Sequence, residues 1–263
     1  MDRGVELGRA VAPAPAREVM SPVFRRVLDR MVSIGYGVVY DYIWESFTPY
    51  QALQQEVLDL VERAAPDAVA RREVRILELG CGPGNFSLKL AEAGFSVVGL
   101  DRYGTLIELA REKRQAKRLA NLAFQHGDLA KGSPFKDGTF DQIVNIHSLY
   151  VHPAPDQKLK EAFRVLKPGG HAVFVNHTRR IELGATFRQL RRRQGLGAAS
   201  RSLLWVVPNS VFEAARRQVG PTYWEEREFT AHLRGAGFTV LEARRTFLNE
   251  ASLLVWARKD PPE

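Results

Sequence analysis

The hydrophobic pattern of the chain changes character near residue 74. Between residues 22 and 66 apolar side chains recur at helical spacing, and one stripe comprises Leu53, Val57, Leu60 and Val61. After residue 74, short apolar runs alternate with longer amphipathic segments. The runs predict strands at 74–79, 96–100, 122–125, 142–146 and 172–175, with helices at 85–93, 105–119 and 156–166 between them. The pattern therefore predicts a helical cap at 22–70, followed by a domain of alternating strands and helices.

The predicted helix at 156–166 shows most clearly how the elements follow one another. Its apolar positions have spacings i, i+3, i+4 and i+7, and they are Leu159, Ala162, Phe163 and Leu166. It runs into Lys167-Pro168-Gly169-Gly170, which predicts a helix stop followed by a turn. Because consecutive parallel strands need crossover connections, the alternation predicts a doubly wound α/β domain over 71–263, with a sheet covered on both faces.

Two stretches lie outside this alternation. Residues 178–228 interrupt it and predict an insertion after the fifth strand, with a helix that begins near residue 209. The pattern then resumes with a predicted helix at 226–235 and predicted strands at 238–243 and 252–257. Residues 1–21 lack the apolar core of a secretory signal and predict a short disordered tail.

Composition narrows the class of protein. Of the 263 residues, 45% are hydrophobic and 26% are charged, as in an ordinary globular protein. No apolar run approaches the roughly 18 residues that a membrane span needs, so we expect no membrane partner. The single cysteine, Cys81, excludes an internal disulfide and a zinc site built from several cysteines. We therefore expect a cytoplasmic protein.

The net charge is +8, and the positions of the basic residues indicate possible partners better than the total does. The densest basic cluster contains four arginines, which are Arg188, Arg191, Arg192 and Arg193. A second cluster, on the predicted helix at 105–119, is interleaved with glutamates and is typical of a solvated helix face. The first cluster leaves two kinds of partner open, a nucleic acid and an acidic carrier protein.

A glycine-rich loop follows the first predicted strand, in the sequence Leu77-Glu78-Leu79-Gly80-Cys81-Gly82-Pro83-Gly84-Asn85. Glycine in such a loop permits positive φ and lets a ligand approach the backbone. The loop lacks the Lys-Ser/Thr pair of a phosphate-binding loop, and its third glycine comes one residue too early for a dinucleotide fingerprint. Glu78 would oppose a dianionic ligand but suits a cationic amino or sulfonium group. The loop therefore favours a ligand without a pyrophosphate.

Two acidic residues follow the next two predicted strands. Asp101 ends the second strand, about 20 positions after the first glycine, where a carboxylate can accept hydrogen bonds from both ribose hydroxyls. Asp128 follows the third strand, where it can accept from an exocyclic amine such as that of adenine. A nucleoside with a cationic tail that carries an amino acid fits all three sites. S-adenosylmethionine is such a molecule.

Five motifs in this order resemble the class I S-adenosylmethionine-dependent methyltransferases, from about Arg71 to Lys259. They are the glycine loop, Val98-Gly99-Leu100-Asp101, Gly127-Asp128, Pro134-Phe135-Lys136-Asp137-Gly138-Thr139-Phe140-Asp141 and Arg164-Val165-Leu166-Lys167-Pro168-Gly169-Gly170. The resemblance implies a Rossmann-like seven-stranded sheet whose last strand is antiparallel and inserted next to the fifth. It also implies S-adenosylmethionine as the cofactor and S-adenosylhomocysteine as the product.

The resemblance assigns parts of the cofactor to positions in these motifs. Gly80, Gly82 and the neighbouring backbone border the methionine part. The resemblance also implies that Asp101 binds the ribose and that Asp128 binds the adenine. With their neighbours, the expected cofactor-binding residues are Glu78, Gly80, Cys81, Gly82, Asp101, Arg102, Asp128, Leu129 and Asn145. We interpret Cys81 as a small packing residue beside the cofactor and not as a nucleophile.

Methyl transfer needs a base only where the acceptor atom arrives protonated. His147, at the end of the fourth predicted strand, is the first candidate because the ordinary pKa of histidine lies near physiological pH. A hydrogen-bonded wall position is the alternative for this residue. His152 either faces the acceptor or caps the following turn, and His177 is a third candidate. Since the acidic ligands typical of a catechol-type metal site are missing at these positions, we expect no metal.

Aromatic residues outside the shared core bear on the acceptor. They are Tyr36, Tyr40, Tyr42, Trp44, Phe47 and Tyr50 in the cap, and Trp205, Phe212, Tyr223 and Trp224 in the insertion. They either line an apolar pocket or form a small core between cap and domain. The residues expected to contact a small-molecule acceptor, methylated on O, N or C, are Tyr36, Tyr40, Tyr150 and His152. Two alternatives stay open, an RNA methyltransferase that uses the basic insertion and a non-catalytic cofactor-binding interaction protein.

Overall fold

The computed structural model describes residues 41, 47–132, 134–178, 183–197, 199–200 and 222–262. Within them, one sheet is formed by β1 Arg75–Leu79, β2 Ser96–Asp101, β3 Leu122–His126, β4 Phe140–Ile146, β5 Leu166–His177, β6 Thr239–Thr246 and β7 Ser252–Arg258. Its strand order is β3-β2-β1-β4-β5-β7-β6. The first five strands are parallel to one another, whereas β7 is antiparallel to β5 and β6. This confirms the predicted doubly wound, seven-stranded sheet with its last strand beside the fifth.

The helices cover both faces of this sheet. They are α1 Thr48–Ala64, α2 Asn85–Glu92, α3 Gly104–Lys117, α4 Pro155–Val165, α5 Leu183–Gln194 and α6 Glu226–Gly235. Helices α1 to α3 pack on one face, and α4 and α6 pack on the other. Short 3₁₀ turns add Arg71–Glu73, Leu129–Lys131 and Leu248–Glu250.

Alternate residues of each strand supply the two halves of the core. In β1, Ile76 packs with α1 to α3, whereas Leu77 packs with α4 and α6. In β5, Val173 and Phe174 divide in the same way. A strand that is buried on both faces needs a continuous apolar run, which explains why the sequence marks these strands so clearly. With both faces covered, the carboxyl edge of the parallel strands is the place for a ligand.

The segment after α4 differs from the predicted turn. Helix α4 ends at Val165, one residue before the predicted end, and β5 begins directly with Leu166 and includes residues 167–170. The backbone N–H of Gly169 donates to the Lys259 carbonyl at 2.7 Å, and Gly169 has a φ of +77°. The pairing of β4 with β5 shifts register in this region. An irregular, bulged strand therefore takes the place of the turn, and glycine supplies its positive φ.

Parts of the predicted cap and insertion fall within the described residues. Helix α1 belongs to the cap and packs a buried stripe against the sheet, which includes Tyr50, Leu53, Val57, Leu60 and Val61. Helix α5 belongs to the insertion. The tail at 1–21, Tyr36, Tyr40 and the helix predicted near residue 209 lie outside the described residues. No helix in the described part of the chain is long and apolar enough to cross a membrane.

Candidate active site

A cavity that opens to solvent lies at the carboxyl ends of β1, β2 and β4. The strand order reverses between β1 and β4, the place where doubly wound sheets bind ligands. The predicted site residues in its wall are Glu78, Gly80, Cys81, Gly82, Asp101, Arg102, Asp128, Leu129, His147, Tyr150 and His152. Asn145 lies behind this wall and is fully buried. The structure therefore brings residues from three of the five motifs, and from the segment after β4, to one cavity.

The glycine loop owes its path to three glycines with positive φ, which are Gly80 at +74°, Gly82 at +54° and Gly84 at +82°. A Cβ on Gly80 would lie 2.3 Å from Ser148 Oγ, so a side chain there would collide with the end of β4. A Cβ on Gly82 would meet no atom within 4 Å. Gly80 therefore allows close packing, whereas Gly82 leaves space at the cavity wall that a ligand can use.

Asp101 joins the ends of β1 and β2. Its Oδ2 accepts a hydrogen bond of 2.9 Å from the backbone N–H of Gly82, and its Oδ1 accepts one of 2.8 Å from that of Tyr103. Each carboxylate oxygen has a second lone pair, and the side chain lines the cavity. Asp101 can thus support the glycine loop and still accept from two ligand hydroxyls.

Asp128 and His152 form a hydrogen-bonded pair at 2.9 Å. His152 Nδ1 accepts from the backbone N–H of Ala154, so the proton of the neutral ring is on Nε2 and is donated to Asp128 Oδ1. His152 thus lines the cavity and also caps the following turn, while its contact with an acceptor remains a prediction. Burial alone would raise the pKa of Asp128, but His152 and the N–H of Ala130 hold it below its usual range. Burial also lowers the pKa of His152.

Glu78 is a buried acid at the end of β1. Burial raises its pKa to about 8, the nearby charge of Asp101 adds to this, and a hydrogen bond from the Ser87 hydroxyl opposes it. The sequence hypothesis treats Glu78 as a carboxylate for a cationic group. In the ligand-free cavity it is protonated at neutral pH, so a bound cation would have to favour its ionisation.

Lys158 of α4 is a cavity residue that the sequence hypothesis misses. Its side chain is only 6% exposed, and its Nζ donates to Ser148 Oγ at 3.0 Å. Burial lowers its pKa to about 8, against the opposing charges of Asp101 and Asp128. The signal is present in the sequence, because Lys158 precedes Ala162 by four residues and so shares its buried helix face. Charge on a predicted helix is nevertheless usually solvated, and the lysine is easily overlooked.

Asn145 and Ser148 tie the end of β4 to β1. Asn145 Nδ2 donates to the Leu79 carbonyl at 2.7 Å, and the Ser148 hydroxyl donates to the same oxygen at 3.0 Å. Asn145 Oδ1 is buried and has no hydrogen-bond partner among the described residues. A buried acceptor without a partner costs free energy, and the two hydrogen bonds to the Leu79 carbonyl keep the ends of β1 and β4 together despite this cost.

His147 follows β4 with a φ of +50°, which is unusual for a residue with a side chain. Its backbone N–H donates to the Val175 carbonyl at 2.8 Å, and its ring centre lies 6.2 Å from that of Tyr50. Burial, with a smaller effect of His177, lowers the pKa of His147 well below its ordinary value. The ring is therefore neutral at neutral pH and has a nitrogen that can accept a proton.

Aromatic rings extend the cavity wall around His147. Tyr50 of α1 lines the cavity and packs edge-on against Phe247 at 5.6 Å. Tyr150 also lines it and stacks with Tyr223 at 6.0 Å. Tyr50 thus belongs both to the core between cap and domain and to the cavity wall. Contact of Tyr150 with an acceptor remains a prediction.

Two further expectations concern charge and metals. The Arg102 guanidinium at the cavity wall donates to the Tyr103 hydroxyl at 2.7 Å and lies over its ring. On α5, Arg188, Arg191 and Arg192 are exposed. Among the described residues, no three His, Cys, Asp or Glu side chains are grouped so that they could hold a metal ion. The roles of these arginines and the expected lack of a metal remain predictions.

The sequence is similar to those of known methyltransferases. Residues 70–218 match the family described as a methyltransferase domain. The demethylmenaquinone methyltransferase of Deinococcus radiodurans is 32% identical over 147 residues, which are 53% of this chain and 60% of that protein. The fatty-acid O-methyltransferase of Mycolicibacterium smegmatis is 34% identical over 111 residues, or 41% of this chain and 39% of that protein. The matches thus span less than two thirds of these relatives.

A solved structure supports the same fold. A SAM-dependent methyltransferase from Aquifex aeolicus superposes with a TM-score of 0.54 at 18% identity, over 82% of this chain and 92% of that chain. At this identity the similarity concerns the fold alone. The match to the family, however, covers more than half of the sequence. The chain therefore belongs to the family of methyltransferase domains.

Proposed function

We propose that the protein transfers the methyl group of S-adenosylmethionine to an O, N or C atom of a small-molecule acceptor. The observation that carries this proposal is the single cavity that combines the glycine loop, Asp101, Asp128 and His147. Membership in the methyltransferase-domain family supports the reaction type. One similar protein is named for a quinone and another for a fatty acid, which favours a small apolar acceptor.

The residues around the cavity fit the proposed cofactor. Asp101 would bind the ribose hydroxyls, and Asp128 would bind the amine of adenine. Gly82 leaves room at the wall for the methionine part. Contact of the cofactor with Asn145, which is buried behind this wall, remains a prediction. When bound, the cofactor supplies an electrophilic methyl group beside these residues.

The remaining work of the chain is to position the acceptor, exclude water and remove a proton. Tyr50, Ile146 and Tyr150 give the cavity an apolar wall near His147. Tyr36 and Tyr40 remain predicted acceptor contacts. His147, neutral at neutral pH, would accept the proton of an acceptor hydroxyl or amine. The transfer leaves the cofactor product without the sulfonium charge, so a protonated His147 adds no net charge to the site.

The direct test uses methyl-labelled S-adenosylmethionine with purified protein and an extract of small molecules, protein and RNA from its source. We expect label in the small-molecule fraction, and loss of that label with Asp101→Ala. The mass of the labelled compound would then identify the acceptor. Label confined to RNA or protein would overturn the proposed acceptor class, and absence of label from every fraction would count against the reaction itself.

The exposed arginines of α5 support a second candidate function, methylation of RNA. Arg188, Arg191 and Arg192 could contact phosphates, and the same charges could instead dock an acidic carrier protein. Replacement of all three by glutamate separates these alternatives. Loss of a salt-dependent RNA retention would support RNA, whereas loss of methyl transfer to a carrier-bound acceptor alone would support the carrier. Unchanged behaviour in both assays would leave α5 as a solvated face.

The preference of the cavity for S-adenosylmethionine over S-adenosylhomocysteine should rise with pH. Above about pH 8, Glu78 gains a negative charge and Lys158 loses a positive one, so both changes favour the cationic sulfonium. A unit charge about 10 Å away is worth about 1.7 kcal/mol at an effective dielectric constant of about 20. We therefore expect the affinity ratio to rise about sixfold for each group, or about 40-fold for both together, between pH 7 and pH 9. Titration calorimetry with both ligands measures it.

Two variants isolate the contribution of the protein. Glu78→Gln and Lys158→Met each hold one side chain neutral, and the double variant should lose most of the pH dependence. The amino groups of the ligands also titrate, but they do so in wild type and variant alike. A double variant with the full wild-type dependence would assign the effect to the ligands and not to these two residues.

A further inference from the structure

Three polar side chains from three strand ends form a chain behind the cavity wall. Ser252 Oγ lies 2.9 Å from His147 Nε2 and 2.9 Å from His177 Nδ1. The two imidazole rings are stacked, with centres 3.9 Å apart and planes 9° from parallel. Ser252 and His177 are buried, whereas His147 lines the cavity. We refer to these three residues as the His-Ser-His chain.

The surrounding structure holds both rings in place. The backbone of His147 is fixed by its bond to the Val175 carbonyl, and the register pairs His177 with Ser252 across β5 and β7. The Phe247 ring lies 5.1 Å from that of His147, and the Tyr150 ring lies edge-on at 4.8 Å from that of His177. The hydrogen bonds therefore connect rings with little freedom to turn.

Counting protons shows that the two histidines are coupled. The Ser252 hydroxyl has one proton and lies between two ring nitrogens, so it can donate to only one of them. When both rings are neutral, the other nitrogen must carry a proton and donate to Ser252 Oγ. The hydrogen bonds of the His-Ser-His chain can therefore be donated in two directions. Either His147 Nε2–H donates to Ser252 and Ser252 donates to His177 Nδ1, or both bonds are reversed. Only the first direction leaves His147 Nδ1 without a proton.

We propose that Ser252 and His177 are positioning residues that hold His147 in the tautomer with a free Nδ1. This inference rests on the proposed function, in which His147 accepts a proton from the acceptor. In that step the acceptor X–H bond breaks, its electron pair stays on X, and the proton forms a bond to Nδ1. Nε2–H stays donated to Ser252, and the Ser252 proton stays donated to His177. The His-Ser-His chain thus orients the base, and its hydrogen bonds are kept when Nδ1 takes up the proton.

The test is nuclear magnetic resonance of the ligand-free protein labelled with ¹⁵N in its histidine rings. Long-range ¹H–¹⁵N correlations show which nitrogen of each ring carries the proton, and the variants His147→Gln and His177→Gln assign the signals. We expect wild-type His147 to show only the Nε2–H tautomer at neutral pH. In Ser252→Ala this single pattern should be replaced by a mixture of both tautomers. A wild-type His147 protonated on Nδ1, or an unchanged pattern in Ser252→Ala, would overturn the proposal.

Two further variants separate this effect from loss of folding. His177→Phe keeps a stacked ring but lacks Nδ1, and it should produce the same mixture at His147. Thr230→Val removes a buried hydroxyl of α6 that bonds the Glu226 and Arg227 carbonyls and neither ring, and it should leave the His147 pattern unchanged. A mixture in Thr230→Val as well would overturn a specific role of the His-Ser-His chain. Because neither cofactor nor acceptor is present, the result is independent of the methyl-transfer assay.

Discussion

Replacement of His147 by glutamine is expected to lower the rate of methyl transfer at least about 100-fold, since a positioned general base contributes about 10²- to 10⁴-fold. The dissociation constant of S-adenosylmethionine should stay within about threefold of wild type, because the change removes a proton acceptor and no proposed cofactor contact. Single-turnover kinetics with the acceptor identified by labelling measures the rate. Calorimetry measures the binding.

His152→Gln is the matched control, because His152 lines the same cavity. Its Nε2–H is donated to Asp128, so its loss should weaken cofactor binding more than it slows transfer at saturating cofactor. The two histidines would then separate rate from affinity. Full turnover in His147→Gln, with normal folding by circular dichroism, would make His147 a wall residue and assign proton removal elsewhere or to the solvent.

The parts of the fold that depend on local pattern could be predicted from the sequence. Strands buried on both faces need continuous apolar runs, and the amphipathic helices between them bury one face each. The glycine loop and Asp101 could be placed at one edge because the carboxyl ends of parallel strands meet there. The chain at 167–170 could not be placed in this way. A Pro-Gly-Gly sequence is compatible with a turn, and the long-range pairing of Gly169 with Lys259 makes it part of a bulged strand.

The candidate site was predictable where a motif carries it, and not where partners are remote in the chain. Ser252 meets His147 across 105 positions, through a β5–β7 pairing that no local pattern specifies. Glu78 could be located, but its protonation depends on burial and on the nearby Asp101, which follow only from packing. Lys158 likewise becomes a cavity residue through the docking of α4. The sequence motifs thus predicted which strand ends form the site. The protonation of Glu78 and the burial of Lys158 could be known only from the packed structure.

Asp101→Ala is expected to weaken S-adenosylmethionine binding at least about 100-fold, because two hydrogen bonds to a charged group are lost and each contributes about 1.5–3 kcal/mol. The structure adds a second cost, since the backbone N–H groups of Gly82 and Tyr103 would lose their acceptor. The melting temperature should therefore fall as well. Asp101→Asn retains one acceptor oxygen and should lie between wild type and Asp101→Ala in both respects. Calorimetry and thermal unfolding measure the two effects.

A double-mutant cycle on protein and ligand separates ribose binding from support of the loop. S-adenosylhomocysteine and its 2′,3′-dideoxy analogue are compared in wild type and in Asp101→Ala. If the carboxylate binds the hydroxyls, wild type should lose affinity for the analogue about 10- to 100-fold, and the variant should lose almost none, because partners in contact are not additive. Equal losses in both proteins would mean that Asp101 only shapes the glycine loop. In that case the ribose lies elsewhere in the cavity, and the loss in Asp101→Ala reflects a displaced Gly82.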